Sequence, residues 1–240
     1  MTKDTLYSDK SITEDFRFSA EVAEVFDDML TRSVPNYHQV VEMIAGLFER
    51  HLESGDQVYD LGCSTGSTLV ELARRLAPLG LRFTGVDNSP AMIKKAELKA
   101  ELYSKKEQID FLERDITGLQ LENAGAIILN YTLQFVRPIQ RADFLKKAYG
   151  SLRPGGMLIL SEKIISHDAV LNRSFIDLYH GFKRAQGYSE LEISRKREAL
   201  EHVLIPFSIA ENLKLLRQAG FTSAETFFQW FNFVSLVAVK

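Results

Sequence analysis

From Gln57 onward the apolar positions change period repeatedly, and the chain reads as strands and helices in alternation. Gln57 to Leu61 is a short apolar-rich run, followed by a turn, Gly62-Cys63-Ser64-Thr65-Gly66, and a helical stretch from Ser67 to Leu76. Leu81 to Val86 predicts a second strand, and Ser89-Pro90 opens the next helix, with Ser as cap and Pro at the first helical position. Ile109 to Glu113 predicts a third strand. Ala124 to Tyr131 predicts a fourth, apolar along nearly its whole length, as a strand covered on both faces must be. A helix over Arg141 to Leu152 should end at Arg153-Pro154-Gly155-Gly156, before a fifth strand from Met157 to Glu162. Such alternation predicts an α/β fold with a mostly parallel, doubly wound sheet.

Both ends of the chain depart from this rhythm. Residues 1–53 read as a polar lead-in followed by two helices, Ala20 to Thr31 and a second over 36–53 with Val40, Val41, Ile44, Leu47 and Phe48 on one face. Residues 167–203 are helical and charged, an insertion that covers an active site or makes an interface. A helix from Ile209 to Ala219 stops at Gly220, and the runs Ala224 to Phe231 and Phe233 to Val239 predict a closing hairpin. With no repeat or linker, residues 1–240 are expected to form one domain.

Composition narrows the function classes. A formal charge of −3 gives no global reason to expect direct nucleic-acid binding. One cysteine excludes a disulfide framework and any multi-cysteine zinc site, and the five histidines lack ligand spacing, so no metal is expected. The N-terminal stretch is polar, and no apolar run nears the roughly 20 residues of a membrane span. A soluble cytoplasmic protein without membrane contact is the expectation.

Candidate chemistry gathers at the carboxyl ends of the predicted strands, where ligands bind in open α/β sheets. Asp60-Leu61-Gly62-Cys63-Ser64-Thr65-Gly66 sits between strand and helix, where glycines admit close approach and the helix offers free N–H groups. It reads Gly-x-Ser-x-Gly, and Ser67 stands where a dinucleotide fingerprint has its last Gly or Ala, which argues against a nicotinamide enzyme. Asp87-Asn88 follows the second strand, where a carboxylate can accept both ribose hydroxyls or cap a helix. Asp115-Ile116 follows the third strand and can hold an adenine; Asn130 ends the fourth. Cys63 is better explained as a small turn residue than as a nucleophile. Lys94, Lys95, Lys99, Lys105 and Lys106 read as a solvated face, and Phe227, Phe228, Trp230, Phe231 and Phe233 as core or dimer packing.

These residues resemble the class I S-adenosylmethionine-dependent methyltransferase fold, a seven-stranded, mostly parallel Rossmann-like sheet with an antiparallel last strand. Further segments are similar to one family within it, the carboxy-S-adenosylmethionine synthases: Arg32-Ser33-Val34-Pro35-Asn36-Tyr37, Ile128 to Phe135, Leu160-Ser161-Glu162-Lys163, Phe182 to Glu192 and Phe228 to Phe233. Gly187-Tyr188-Ser189-Glu190 is the most distinctive, having no reason to occur in a generic methyltransferase. Lys3-Asp4-Thr5-Leu6 matches as well.

The resemblance implies an enzyme that turns S-adenosylmethionine and prephenate into carboxy-S-adenosylmethionine and phenylpyruvate. The product then feeds a separate enzyme that modifies a tRNA wobble uridine. It further implies substrate contacts at Tyr37, Gly62, Cys63, Ser64, Asp87, Asn88, Asp115, Ile116 and Asn130. Arg197 would meet the new carboxylate, supplied by the partner in a homodimer. Without the resemblance, Ser194-Arg195-Lys196-Arg197 reads as a solvated face. An ordinary small-molecule methyltransferase is the alternative enzyme, and a catalytically silent cofactor-binding subunit the alternative outside enzymes. The prephenate contacts stay unassigned.

Overall fold

A computed structural model describes residues 2–8 and 15–240. The remaining part of the polar lead-in lies outside the described residues. Seven strands form one sheet: β1 (Gln57–Leu61), β2 (Arg82–Asp87), β3 (Ile109–Glu113), β4 (Ala124–Asn130), β5 (Leu152–Lys163), β6 (Ser223–Trp230) and β7 (Phe233–Val239). Their order is β3-β2-β1-β4-β5-β7-β6. Pairing is parallel from β3 through β5, and β7 runs antiparallel to both β5 and β6. The strand order reverses between β1 and β4, so a crevice opens there at the carboxyl ends of the strands.

Helices α1 (Ala20–Ser33), α2 (Tyr37–His51), α3 (Ser67–Arg75), α4 (Pro90–Leu102), α5 (Pro138–Ser151), α6 (Ala169–Ala185), α7 (Glu190–Leu200) and α8 (Ile209–Ala219) complete the fold. β4 is buried up to its last residue because helices cover both faces of the sheet centre. Ile44, Phe48, Leu69 and Leu72 join Val58, Ile128 and Ile159 on one face. Phe144, Leu145, Leu216 and Phe221 meet Ile127, Leu129 and Leu158 on the other.

The boundaries differ from the sequence reading in three places. Helix α5 starts at Pro138, not Arg141, because Pro supplies the fixed φ of a first helical residue. Strand β5 starts at Leu152, taking in Pro154-Gly155-Gly156 beside β4 across a register shift near Gly125. A Cβ on Gly156 would come within 2.9 Å of the Ala124 carbonyl, so the close approach demands glycine there. The insertion divides into α6 and α7, broken at Gly187, whose φ is +85°, and restarted by a Ser189–Glu192 capping box.

Two charge readings are corrected. Lys99 leaves the solvated face of α4 to reach Asp27 on α1, at 2.7 and 2.8 Å from its two oxygens. The α7 run is not a solvated face. Lys196 is buried against Asp4 and Ser33, and Arg195 donates to the carbonyls of Tyr7 and Ser8 at 2.9 Å each.

Candidate active site

A cavity of about 640 Å3 opens at the carboxyl end of the sheet. That volume lies within the roughly 300–1,000 Å3 usual for small-molecule sites. All ten residues singled out from the sequence line it.

The glycine turn forms its floor. Gly62 and Cys63 both donate to the Val86 carbonyl, at 2.7 and 3.0 Å, which fixes the turn to the end of β2. Gly62 has φ +84°, and a Cβ there would lie 2.5 Å from Cγ2 of Thr132, so only glycine fits. Ser64 is also left-handed, at φ +49°. Its N–H donates to Asp87 Oδ2 at 2.9 Å, while Asp87 Oδ1 accepts from Ser89 N–H at 2.9 Å. Asp87 therefore both shapes the turn and holds Ser89, the residue that caps α4. Burial pushes its carboxyl above the ordinary range. Asn88 is exposed beside it at the rim.

Asp115 starts the 3-10 turn Ile116–Gly118. Its Oδ1 accepts from the N–H and hydroxyl of Thr117, at 2.8 and 2.7 Å. Tyr37, at the start of α2, shares a 2.7 Å hydrogen bond with Thr68 on α3. Asn130 reaches the same hydroxyl through Nδ2 at 3.4 Å, and its buried Oδ1 has no partner among the described residues. Helix α1 is fixed to the turn by Asp27, whose Oδ1 accepts from Thr65 at 2.6 Å and Ser67 at 2.8 Å.

Sequence reasoning left two features out of its candidate set. The first is Asp60. It lines the cavity with its Oδ1 unpartnered among the described residues, and burial, reinforced by the Asp87 charge, pushes it up to about 7. The acidic residue two places before Gly62 was the available signal. The second is the rest of a basic wall that joins the expected Arg197 on α7: Lys163 at the end of β5, His180 and Lys183 on α6, and Lys196 on α7. Nothing local marks it, since only the fold brings three elements together. Burial pushes Lys163 and Lys183 below the usual ammonium range, and in Lys183 the Lys196 and Lys163 charges add to it. Arg197 is exposed at the rim of its own chain's cavity, with no hydrogen bond or ion pair found for it among the described residues.

In sheet order, then, the carboxyl edge carries Asp115 after β3, Asp87 on β2, Asp60 on β1, Asn130 on β4 and Lys163 on β5. The edge passes from acid through amide to base across strands spaced about 4.8 Å apart. The acidic half suits a ligand bearing hydroxyls and a cation. The unpartnered oxygens of Asp60 and Asn130 and the Gly62 cradle fit S-adenosylmethionine, a sulfonium carrying a ribose.

The comparisons agree with this geometry. The methyltransferase domain family matches residues 58–156, the strand-and-helix frame around the crevice. A carboxy-S-adenosyl-L-methionine synthase of Desulfotalea psychrophila is 57% identical over 99% of this chain and 97% of its own length. The chain belongs to the carboxy-S-adenosyl-L-methionine synthase family. A second member, from Wolinella succinogenes, is 46% identical over 99% of this chain and 98% of its own. Among solved structures, an O-methyltransferase family protein of Burkholderia thailandensis superposes with a TM-score of 0.67 at 18% identity. That match covers 94% of this chain and 64% of the other. Human N-acetylserotonin methyltransferase, solved with S-adenosylmethionine, gives 0.60 at 18% identity, over 92% and 55% of the two chains. Those two likenesses show the class I methyltransferase fold. The synthase family uses it as an S-adenosylmethionine-dependent transferase. Among the described residues no group of three or more His, Cys, Asp or Glu can hold a metal, and no helix is long and apolar enough to cross a membrane.

Proposed function

We propose that the protein carboxylates the methyl carbon of S-adenosylmethionine with the carboxyl group that prephenate releases. One observation carries the reading: the cavity joins a carboxylate-lined half to a half lined by lysines and Arg197. Methyl transfer needs only the first half. A reaction that consumes a dianion and leaves a carboxylate on the sulfonium side needs both.

Each group acts in a named step. Asp87 accepts from the ribose hydroxyls, and Asp115 and Ile116 hold the adenine at the β2–β3 side. Gly62, Cys63 and Ser64 let the nucleoside lie against the turn, with Asn88 at the rim. Tyr37, Asp60 and Asn130 surround the amino-acid end and bring the sulfonium to the β1–β4 switch point. The sulfonium charge acidifies its methyl group. As the ring carbon–carboxylate bond of prephenate breaks, its electron pair enters the ring, CO2 departs and the ring hydroxyl leaves. That hydroxyl takes the methyl proton and departs as water. The methyl carbon then forms its bond to CO2, so atoms and charge balance without a protein nucleophile. Excluding bulk water keeps carbanion and CO2 together. Arg197, supplied across the subunit boundary in the homodimer that the resemblance implies, pairs with the new carboxylate, since a planar guanidinium matches two oxygens.

The same reading includes a homodimer with α6 and α7 at the subunit boundary, a single domain, cytoplasmic placement and a product passed to a tRNA-modifying enzyme. The test is mass spectrometry of the nucleotide released by heating freshly purified protein, repeated after incubation with S-adenosylmethionine and prephenate. A species heavier than S-adenosylmethionine by one CO2 supports the reading. S-adenosylmethionine unchanged after prephenate is added would overturn it in favour of methyl transfer.

A further inference from the structure

Lys163, half-buried, and Lys183, buried, carry ammonium groups that the mechanism above does not use. Their side chains flank one ring, with Lys163 Nζ 5.1 Å and Lys183 Nζ 4.8 Å from the centroid of Tyr179. Neither ammonium has a hydrogen bond or ion pair among the described residues. Lys196, by contrast, is anchored by Ser33 at 3.0 Å and Asp4 at 3.7 Å. A buried cation with no anionic partner is costly, and it lasts where a ligand supplies the missing charge. Both lysines line the cavity, as do the Tyr131, Tyr179 and Phe233 rings beside them. Phe233 stands 5.0 Å from Tyr179 and 6.1 Å from Tyr131, so the three rings pack into one aromatic wall beside the two cations.

We propose that Lys163 and Lys183 form the receptor for the 2-oxo carboxylate of the co-substrate, the end of prephenate that survives in phenylpyruvate. This rests on the synthase reading. The assignment follows from what each carboxylate must do. A lysine ion-paired to the departing carboxylate would stabilise it in the ground state and resist CO2 loss. The retained 2-oxo acid carries no such penalty, so gripping it lends binding energy to orientation. With that end held beside β5 and α6, the ring lies against the aromatic wall and its carboxylate points back toward β4 and the sulfonium. The site selects aromatic or pre-aromatic 2-oxo acids over simple monoanions.

The experiment measures phenylpyruvate binding to the full chain saturated with S-adenosylhomocysteine, by calorimetry, in wild type and in Lys163→Met, Lys183→Met and Lys163→Arg. Each methionine variant should bind phenylpyruvate at least tenfold more weakly, with the arginine variant closer to wild type and S-adenosylhomocysteine affinity within twofold throughout. Phenylpyruvate affinity unchanged in both methionine variants overturns the assignment, as does a wild type that binds none. Where a methionine variant loses S-adenosylhomocysteine binding, Lys163→Gln or Lys183→Gln replaces it under the same thresholds. The two readings fail separately. Wild type that makes no carboxylated product from prephenate sinks the synthase reading, whereas product formation with lysine-independent phenylpyruvate binding sinks the receptor alone.

Discussion

Replacing Asp60 with Asn should stabilise the ligand-free protein, and by an amount that grows with pH. Asp60 is fully enclosed, one of its oxygens lacks a partner among the described residues, and its carboxyl is pushed up to about 7 from 3.8. The sign follows from proton counting. Between those two values the folded state holds a proton that the unfolded state has lost, so stability falls as pH rises through the window. Asn resembles the protonated acid and escapes the penalty. At 1.36 kcal/mol per pH unit, the advantage of Asn is about 2 kcal/mol at pH 5 and about 4 kcal/mol at pH 8.

The assay is urea unfolding of Asp60→Asn and wild type at both pH values, read as the difference between them. The subtraction cancels other buried acids, of which Glu162, raised by its burial, is one. A cationic substrate reverses the balance, because the sulfonium favours the ionised carboxylate. S-adenosylmethionine should therefore bind wild type more tightly at pH 8 than at pH 6, and the neutral thioether S-adenosylhomocysteine should show a smaller change. An Asn advantage that stays flat from pH 5 to pH 8, or an Asn variant less stable at pH 8, would refute this reasoning.

The sheet was legible because its signals are local. A near-continuous apolar run as short as Ala124 to Leu129 favours a buried strand over a helix by its length, and Ser89-Pro90 is a strong helix start. The site was legible where strand ends carry it, since parallel strands bring Asp87, Asp115 and Asn130 to one edge whatever the helices do. The basic half was not. Lys163 ends a strand, Lys183 and Lys196 sit on separate helices, and each alone resembles any surface lysine. The break at Gly187, the Tyr188 hydroxyl 2.5 Å from Asp4, and the Arg32 guanidinium 3.9 Å from the Tyr188 ring help turn those helix faces inward. Lys99 was misread for the same reason: its partner Asp27 lies 72 positions away.

Three further substitutions probe the turn, its anchor and the rim. Gly62→Ala drives a methyl into Thr132 at φ +84°, and should lower stability by about 2 kcal/mol and abolish measurable S-adenosylhomocysteine binding by calorimetry. In Asp27, burial raises the carboxyl, but Lys99 and the Thr65 and Ser67 hydroxyls pull it below the ordinary value overall. Its contribution is thus present above about pH 4 and lost as pH falls below it, so Asp27→Asn should cost about 1–2 kcal/mol at pH 7 and converge on wild type in acid, read by urea unfolding. Arg197→Ala separates the two forms of the nucleotide. Arg197 lines the cavity at the rim, where no described residue pairs with it, so its removal leaves no buried charge behind and stability should hold within about 0.5 kcal/mol. Carboxy-S-adenosylmethionine loses a charge-assisted pair worth about 1.5–3 kcal/mol, roughly tenfold to a hundredfold in Kd. S-adenosylmethionine has no carboxylate at that carbon and should lose less than threefold. Competition calorimetry with both nucleotides gives the ratio directly, and equal loss for the two would mean that Arg197 serves the shared part of the ligand instead of the new carboxylate.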